Sequence, residues 1–416
     1  MERVDVLVLG GGVAGVCTAR EVLRRGRQVT ILDRGQICSG SSYGNAGLIV
    51  PSHSVPIAEP GVMAKGLKWL FNPESPFYIK WRSDRQLLSW LWHFRRACTH
   101  ARVERAMPLM RDLHLESLRL FGALSEEVDF EFGARGRLLV CREERGLESV
   151  AREAELMRGL GLEVDMLTAA ELAEKVGNAV QFSSVGAAYY PQDAHVQPQH
   201  FVRQLAAQCA ELGARVVEEC EVLAIEGAGG RVSRVRTTRG DWSAEQVVLA
   251  GGAWSPQLLS GLAMRLPVQP AKGYSIMAER PERCPDIPFM LTEAKVAVTP
   301  LRNEVRFTGT LELAGLDLSI NQRRVDAMRR AVATYVPDWT PDRLRVREIW
   351  RGLRPCSPDG LPFLGRSAQW ANLVVATGHG MCGLSLGPVT GQIAGQLVCG
   401  EASRFDLALC RVERFA

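Results

Sequence analysis

The chain has 416 residues, 46% hydrophobic and 23% charged, with a formal net charge of +4. This is length for more than one average domain and a large core. The charge is too small, and too free of long basic blocks, for a nucleic-acid partner. The eleven cysteines are scattered, odd in number and include no Cys-x-x-Cys pair. They read as reduced cytoplasmic thiols and not as a disulfide frame or a metal site. No stretch reaches the roughly 18 uninterrupted apolar residues of a membrane span.

In chain order, residues 1 to about 45 read as a β-α-β unit. The apolar run Val4 to Leu9 is a strand, not a signal segment, because Gly10-Gly11-Gly12-Val13-Ala14-Gly15 follows directly and removing the run would destroy the unit. Gly10 permits a sharp exit from the strand. Gly12 lets backbone approach a pyrophosphate, and Gly15 lets the next helix pack closely. That helix start offers the N–H groups of Val13 and Ala14 and a positive dipole end to phosphate. A second apolar run, Val29 to Leu32, ends at Asp33 and Arg34, where an acid accepts hydrogen bonds from ribose hydroxyls.

From residue 46 to about 189 the texture changes to Pro-rich turns, clustered aromatics and helical periodicity over 103–125 and 143–160. Pro198 opens a helix running to Leu212. Strands are predicted over Val216 to Ile225 and Val232 to Thr238, with a glycine-rich hairpin turn at 227–230. Val247 to Ala250 is a short buried strand ending at Gly251-Gly252-Ala253-Trp254-Ser255. The segment 266–344 alternates apolar and polar and carries one helix, Asn321 to Tyr335. Near the C-terminus the strand-turn-helix pattern returns, as Leu373 to Ala376 followed by Thr377-Gly378-His379-Gly380-Met381-Cys382-Gly383.

One such turn suits any dinucleotide. A matching turn at the other chain end implies a flavin gripped from both ends. The expected fold is therefore α/β. A Rossmann-like FAD-binding domain (1–45, 190–265 and 345–416) interleaves with an α+β substrate domain (46–189 and 266–344) built on an antiparallel sheet. A purely nicotinamide-dependent dehydrogenase has no need of the second turn.

Several motifs resemble the glycine/D-amino-acid oxidase group of flavoenzymes, and within it the bacterial D-amino-acid dehydrogenases. Ser41-Ser42-Tyr43-Gly44-Asn45-Ala46-Gly47, with Leu48 behind it, is similar to the family's stretch along the isoalloxazine. Pro56 to Gly61 and Lys272-Gly273-Tyr274-Ser275 look like dehydrogenase-type features. Gly352-Leu353-Arg354-Pro355-x-Ser357-Pro358-Asp359-Gly360-x-Pro362 resembles the substrate-side motif. The resemblance implies FAD-dependent oxidation of D-amino acids, with electrons passed to a quinone or another acceptor. D-hydroxyproline or other secondary-amine dehydrogenases and glycine/sarcosine-type oxidases share these motifs and stay open.

On this basis Arg354 receives the substrate carboxylate, for which a planar, permanently charged guanidinium is suited. Gly251, Gly378, His379, Gly380, Met381, Gly383 and Leu384 join the cofactor set, and the N–H groups after Gly383 supply positive potential near the reduced flavin. Tyr274 either places its hydroxyl by the carboxylate or is a half-buried strand tyrosine. His53 either lines the substrate pocket or is a loop histidine without a role. His195 is expected to order the loop before the 198–212 helix. Cys356 invites a covalent flavin link, but its placement favours non-covalent FAD. The segment 65–96 mixes eight aromatics with seven Lys/Arg residues. That composition suits either the substrate domain's own core or peripheral contact with the inner face of the cell membrane.

Overall fold

A computed structural model describes residues 1–61, 75, 77–80, 82 and 84–416. The first unit is β1 (Glu2–Leu9), α1 (Val13–Arg24) and β2 (Val29–Leu32), followed by the short β3 (Leu48–Ile49) and β4 (Phe77–Ile79). Helices α2 (Arg85–Ala97) and α3 (His100–Ser125) lead to β5 (Arg137–Cys141), α4 (Glu144–Gly159), β6 (Asp165–Thr168), α5 (Ala169–Lys175) and β7 (Gly186–Tyr190). Next come β8 (Ala194–His195), α6 (Pro198–Glu211), β9 (Arg215–Val217), β10 (Val222–Ala228), β11 (Arg231–Thr237), β12 (Gly240–Leu249) and the one-turn α7 (Ser255–Leu258). The second half holds β13 (Gln269–Glu279), β14 (Phe289–Leu291), β15 (Val296–Pro300), β16 (Glu304–Leu313) and α8 (Gln322–Tyr335). It closes with β17 (Val346–Cys356), β18 (Phe363–Arg366), β19 (Leu373–Thr377) and α9 (Gly387–Val398).

Two sheets carry the fold. In the first, β9, β2, β1, β12 and β19 run parallel, with β10, β11 and β18 added antiparallel. The parallel strands are apolar on both faces, as expected of a sheet covered on both sides. Helix α9 packs on α1 through a ridge of Gly387, Gly391 and Gly395 at i, i+4 and i+8. A Cβ at Gly391 would lie 2.5 Å from the Cys17 backbone, so only glycine admits this approach.

The second sheet orders β17-β13-β16-β15-β14-β5-β7-β6, with β4 beside β16. One face is covered by α8 through Val325, Met328 and Val332. The other faces the first sheet and forms the wall of a cavity.

Two expectations need adjusting. The strand predicted over 216–225 is two: β9 pairs with β2, and β10 turns away to pair with β11. The segment from 345 does not return at once to the cofactor half. Residues Val346–Cys356 form the edge strand of the second sheet, registered on β13 from Gln269↔Cys356 onward, and the chain re-enters the first sheet only at Phe363. The residues of 65–96 that fall within 62–74, 76, 81 and 83 lie outside the described residues.

Candidate active site

Between the sheets lies a cavity of about 1060 Å³, at the upper end of small-molecule sites. Its first end is the glycine turn. Gly10 has a left-handed φ of 117°, and Gly15 packs so closely that a Cβ there would sit 1.9 Å from the Gly10 carbonyl. Gly10, Gly12, Val13 and Ala14 line the cavity at the start of α1. That helix has no acidic residue in its first turn, so no carboxylate of its own offsets its positive end. Ser42 Oγ accepts the Val13 N–H at 3.0 Å, tying the 41–48 loop to the helix start.

Asp33 and Arg34 line the same end. The Asp33 carboxylate accepts the Gly11 N–H at 2.7 Å and the Gly35 N–H at 2.8 Å. Burial nonetheless pushes its pKa up, partly offset by those two N–H groups. It braces the turn and also faces the cavity. The Arg34 guanidinium lies 3.7 Å over the Trp254 ring, which walls this end beside Gly251.

Ser41, Ser42, Gly44, Asn45, Ala46 and Leu48 form the middle of the cavity wall. The second sheet clamps this loop. Arg306 donates to the Tyr43 and Asn45 carbonyls at 3.0 and 2.6 Å, and the Thr299 hydroxyl donates to the Ala46 carbonyl at 2.6 Å. Gly44 is required because a Cβ would lie 1.9 Å from the Trp350 ring. Gly47 turns the chain out of the loop with φ 79°, next to the Val196 carbonyl.

Opposite, His379, Gly380, Met381, Gly383 and Leu384 line the cavity. The helix expected directly after Gly383 starts later. Gly378 and Gly380 are left-handed (φ 78° and 55°), which stops one helix running through them; a short 3₁₀ turn, Gly380–Cys382, precedes α9. His379 Nε2 lies 2.9 Å from the Thr390 hydroxyl on α9, and burial lowers its pKa to about 4. Gly15, Gly47 and Gly378 do not line the cavity themselves; they shape the turns around it.

At the second-sheet end, Arg354 on β17 reaches across β13. A Cβ at Gly273 would lie 2.0 Å from its Nη1, so the glycine of the 272–275 motif is the opening through which the guanidinium passes. Arg354 Nη1 donates to the Thr310 carbonyl at 2.9 Å. Burial lowers its pKa, and no carboxylate among the described residues pairs with it. A deeply placed cation held only by a neutral carbonyl lacks a counter-charge.

Tyr274, next along β13, also lines the cavity, but its ring turns to the opposite face. There it packs in the apolar cluster with Ile276 and Ala278, and its hydroxyl accepts the Asn321 N–H at 3.1 Å. The alternation of a strand separates it from Gly273, so its hydroxyl is not beside Arg354. His53 does line the cavity. Its loop is held by a buried network in which Asp193 accepts from Arg137 at 2.8 Å and from the Ser52 hydroxyl. Burial, then the charges of Arg137 and Lys295, lower the His53 pKa to about 4.

His195 is buried in β8, paired with Leu48 and bridging to Gly133. Cys356 lines the cavity with its thiol pushed up to about 11 by burial. Trp350, Thr308, Thr310, Arg137 and Lys295 also line the cavity and were not singled out from sequence. Gly44 and Gly352 on either side of the Trp350 ring were the available signal for the tryptophan. Nothing local marks the others.

The cradle fits an extended dinucleotide: a glycine turn and helix start at one end, a loop and a second glycine turn at mid-length, and a cation without a counter-charge beyond. Residues 5–397 match the family described as FAD dependent oxidoreductase. The chain belongs to that family. It is 34% identical to a D-amino acid dehydrogenase of Cereibacter sphaeroides, covering 99% of this chain and 95% of that one. It is 30% identical to a D-amino acid dehydrogenase of Granulibacter bethesdensis, covering 99% of each. Its fold is similar to the glycine oxidase structure from Geobacillus kaustophilus, with a TM-score of 0.81, 26% identity and 100% of both chains covered. The FAD-dependent oxidoreductase is thus a flavoenzyme of mixed α/β fold. No described helix is long and apolar enough to cross a membrane.

Proposed function

We propose that this flavoenzyme is a D-amino acid dehydrogenase, converting D-amino acids to 2-oxo acids and ammonia through an imino acid released to water. The observation that carries this is Arg354: a deep cation with no carboxylate partner among the described residues, in the cavity that also holds the dinucleotide cradle. Relatives named D-amino acid dehydrogenase over nearly full length support the reading. Bound FAD supplies the hydride acceptor. It would be held by Gly10 to Ala14, Asp33, Arg34, the 41–48 loop and the 378–384 turn, without a covalent link to Cys356.

The chain's own residues orient the substrate and set its charge. Arg354 holds the carboxylate in two-pronged fashion, which fixes the α-carbon. Positive potential from Arg354 and Lys295 disfavours an ammonium group nearby, so the bound amine loses its proton more readily. His53, held neutral, adds no further charge and can accept a hydrogen bond from that amine. Trp350, packed against Gly44 and Gly352, forms part of the wall. The experiment is anaerobic mixing of the yellow holoenzyme with D- and L-amino acids. Bleaching by the D form supports the reading, and persistent oxidised flavin with every amine contradicts it.

The electron acceptor is proposed to be a quinone at the membrane surface. Helix α2 buries Trp90 and Phe94 but exposes Leu88 and Trp92 at 57% and 53%. Arg85, Arg95 and Arg96 are exposed on the same helix, a combination suited to an anionic interface. Loss of vesicle binding in a Leu88→Ala/Trp92→Ala variant is the expected result.

A further inference from the structure

Resting on the D-amino-acid reading, in which Arg354 receives the carboxylate, we propose that a one-residue bulge at Thr310 is a positioning device of the active site. It aims the Thr310 carbonyl at the guanidinium and turns the Glu312 carboxylate out of the cavity, so that Arg354 stays open to substrate.

The bulge lies in the register of β13 on β16. Lys272 opposes Glu312 and Tyr274 opposes Gly309, so Gly273 alone faces both Thr310 and Leu311. Two residues against one define a bulge, and in one common form the first of the two is a glycine with a left-handed backbone. Here that residue is threonine, with φ 62°. A β-branched side chain is a costly occupant of this region. The Thr310 hydroxyl is buried without a hydrogen-bond partner among the described residues, so it offsets none of that cost. Strain held beside a ligand site points to a use of the backbone there. Thr310 has no register partner on β13 or β15. Its carbonyl instead accepts Arg354 Nη1 at 2.9 Å, where the guanidinium passes Gly273.

The extra residue also reverses which way the side chains of β16 point. Before it, Arg306 clamps the 41–48 loop and Thr308 lines the cavity, while Val305 and Phe307 pack in the cluster with α8. Unbroken alternation would put Glu312 on the cavity face with Arg306 and Thr308. After the bulge, Leu311 and Leu313 line the cavity instead. Glu312 lies behind the sheet, 3.6 Å from the Lys272 ammonium and 3.4 Å from the Arg324 guanidinium on α8. All three of these charged side chains are buried. An acid on the cavity face of β16 would compete for Arg354, which crosses Gly273 on the adjacent strand. One inserted residue thus keeps the carboxylate with the two cations behind the sheet and leaves Arg354 without one.

The test removes the extra residue from the holoenzyme. The first half of β16 is fixed by register on both β13 and β15, so deleting Thr310 should flip the shorter second half and send Glu312 to the cavity face. Flavin content should stay normal while KM for a good D-amino acid rises at least about 30-fold. The same deletion combined with Glu312→Leu should lower that KM again by at least about ten-fold, a rescue that a merely structural bulge does not give. An unchanged KM after deletion, or a rise that Glu312→Leu does not reverse, overturns the proposal while leaving D-amino-acid oxidation intact. If the shortened chain holds no flavin, Leu311→Glu and Leu311→Gln decide, because each keeps the bulge and the first puts an acid on the face that Glu312 avoids. A KM at least about ten-fold higher for Leu311→Glu supports the proposal, and equal values refute it. Should no D-amino acid reduce the wild-type flavin, the D-amino-acid reading fails separately. Butyrate binding, followed by the flavin absorbance, then decides on the bulge in the same variants. Binding that is lost when an acid enters the cavity face, and kept when that acid is replaced by its neutral counterpart, supports the device. Equal binding throughout, or none in wild type, refutes it.

Discussion

Replacing Arg354 by alanine is the sharpest test of the site. In the substrate-free protein the guanidinium has one neutral acceptor, the Thr310 carbonyl at 2.9 Å, and no carboxylate among the described residues. On the proposed reading the substrate carboxylate is its counter-charge, and truncating Arg354 leaves that carboxylate uncompensated in a partly desolvated cavity. The cost is about 2–5 kcal/mol, or about 30- to 5000-fold in kcat/KM. Part of it should fall on the reduction rate, because the α-carbon loses its alignment. Arg354→Lys should recover only a fraction, since one ammonium cannot serve both the Thr310 carbonyl and two carboxylate oxygens. Thermal stability should not fall, because burial already disfavours this cation and its loss removes a desolvation penalty. The assay is anaerobic stopped-flow reduction with a good D-amino acid, alongside flavin content and Tm. Wild-type kinetics in the alanine variant would remove the carboxylate role; loss of flavin would move Arg354 to the cofactor or the fold.

Gly12→Val should yield colourless protein, since its side chain starts 3.3 Å from Ser42 Oγ and grows into the cradle at the start of α1; normal flavin absorbance would contradict that placement. Asp193→Asn leaves Arg137 buried without its counter-charge, which should cost about 3–5 kcal/mol and lower Tm by several degrees, with an unchanged melting curve counting against the network. Four histidines are held neutral by burial, with His53, His195 and His379 lowered to about 4 and His114 to about 3. The unfolded chain therefore binds more protons below about pH 6.5, so the stability they contribute is full above that value and is lost towards pH 4, by up to about 1.4 kcal/mol per histidine per pH unit. A Tm that stays flat between pH 7 and 5 would refute their neutrality. Acid precipitation should release all the yellow colour into the supernatant, whereas colour retained in the pellet would show a covalent link.

Local signals carried much of the site. The turn Gly10 to Gly15 is legible because strand exit, helix start and close packing each impose a glycine at a fixed offset. The same holds for Gly378 and Gly380, whose left-handed backbones only glycine adopts freely. Arg354 stood out through its motif. Tyr274 shows the limit: the 272–275 motif marks the right strand, but the face each residue takes depends on which sheet neighbour covers it. Gly273 opens to the cavity, and Tyr274 is buried against α8's side of the sheet.

What the sequence determined by itself is the strand-turn-helix unit at the N-terminus and the class of fold, because the glycines that shape each turn lie within a few residues of one another. The tertiary structure alone decided how the second sheet meets the cofactor cradle. Arg306 and Thr299 clamp the 41–48 loop from more than 250 residues away, and Val346–Cys356 crosses to the sheet edge. These are pairings between distant strands, set by register and by the burial of whole sheet faces, and no short window of sequence records which strand will become the neighbour.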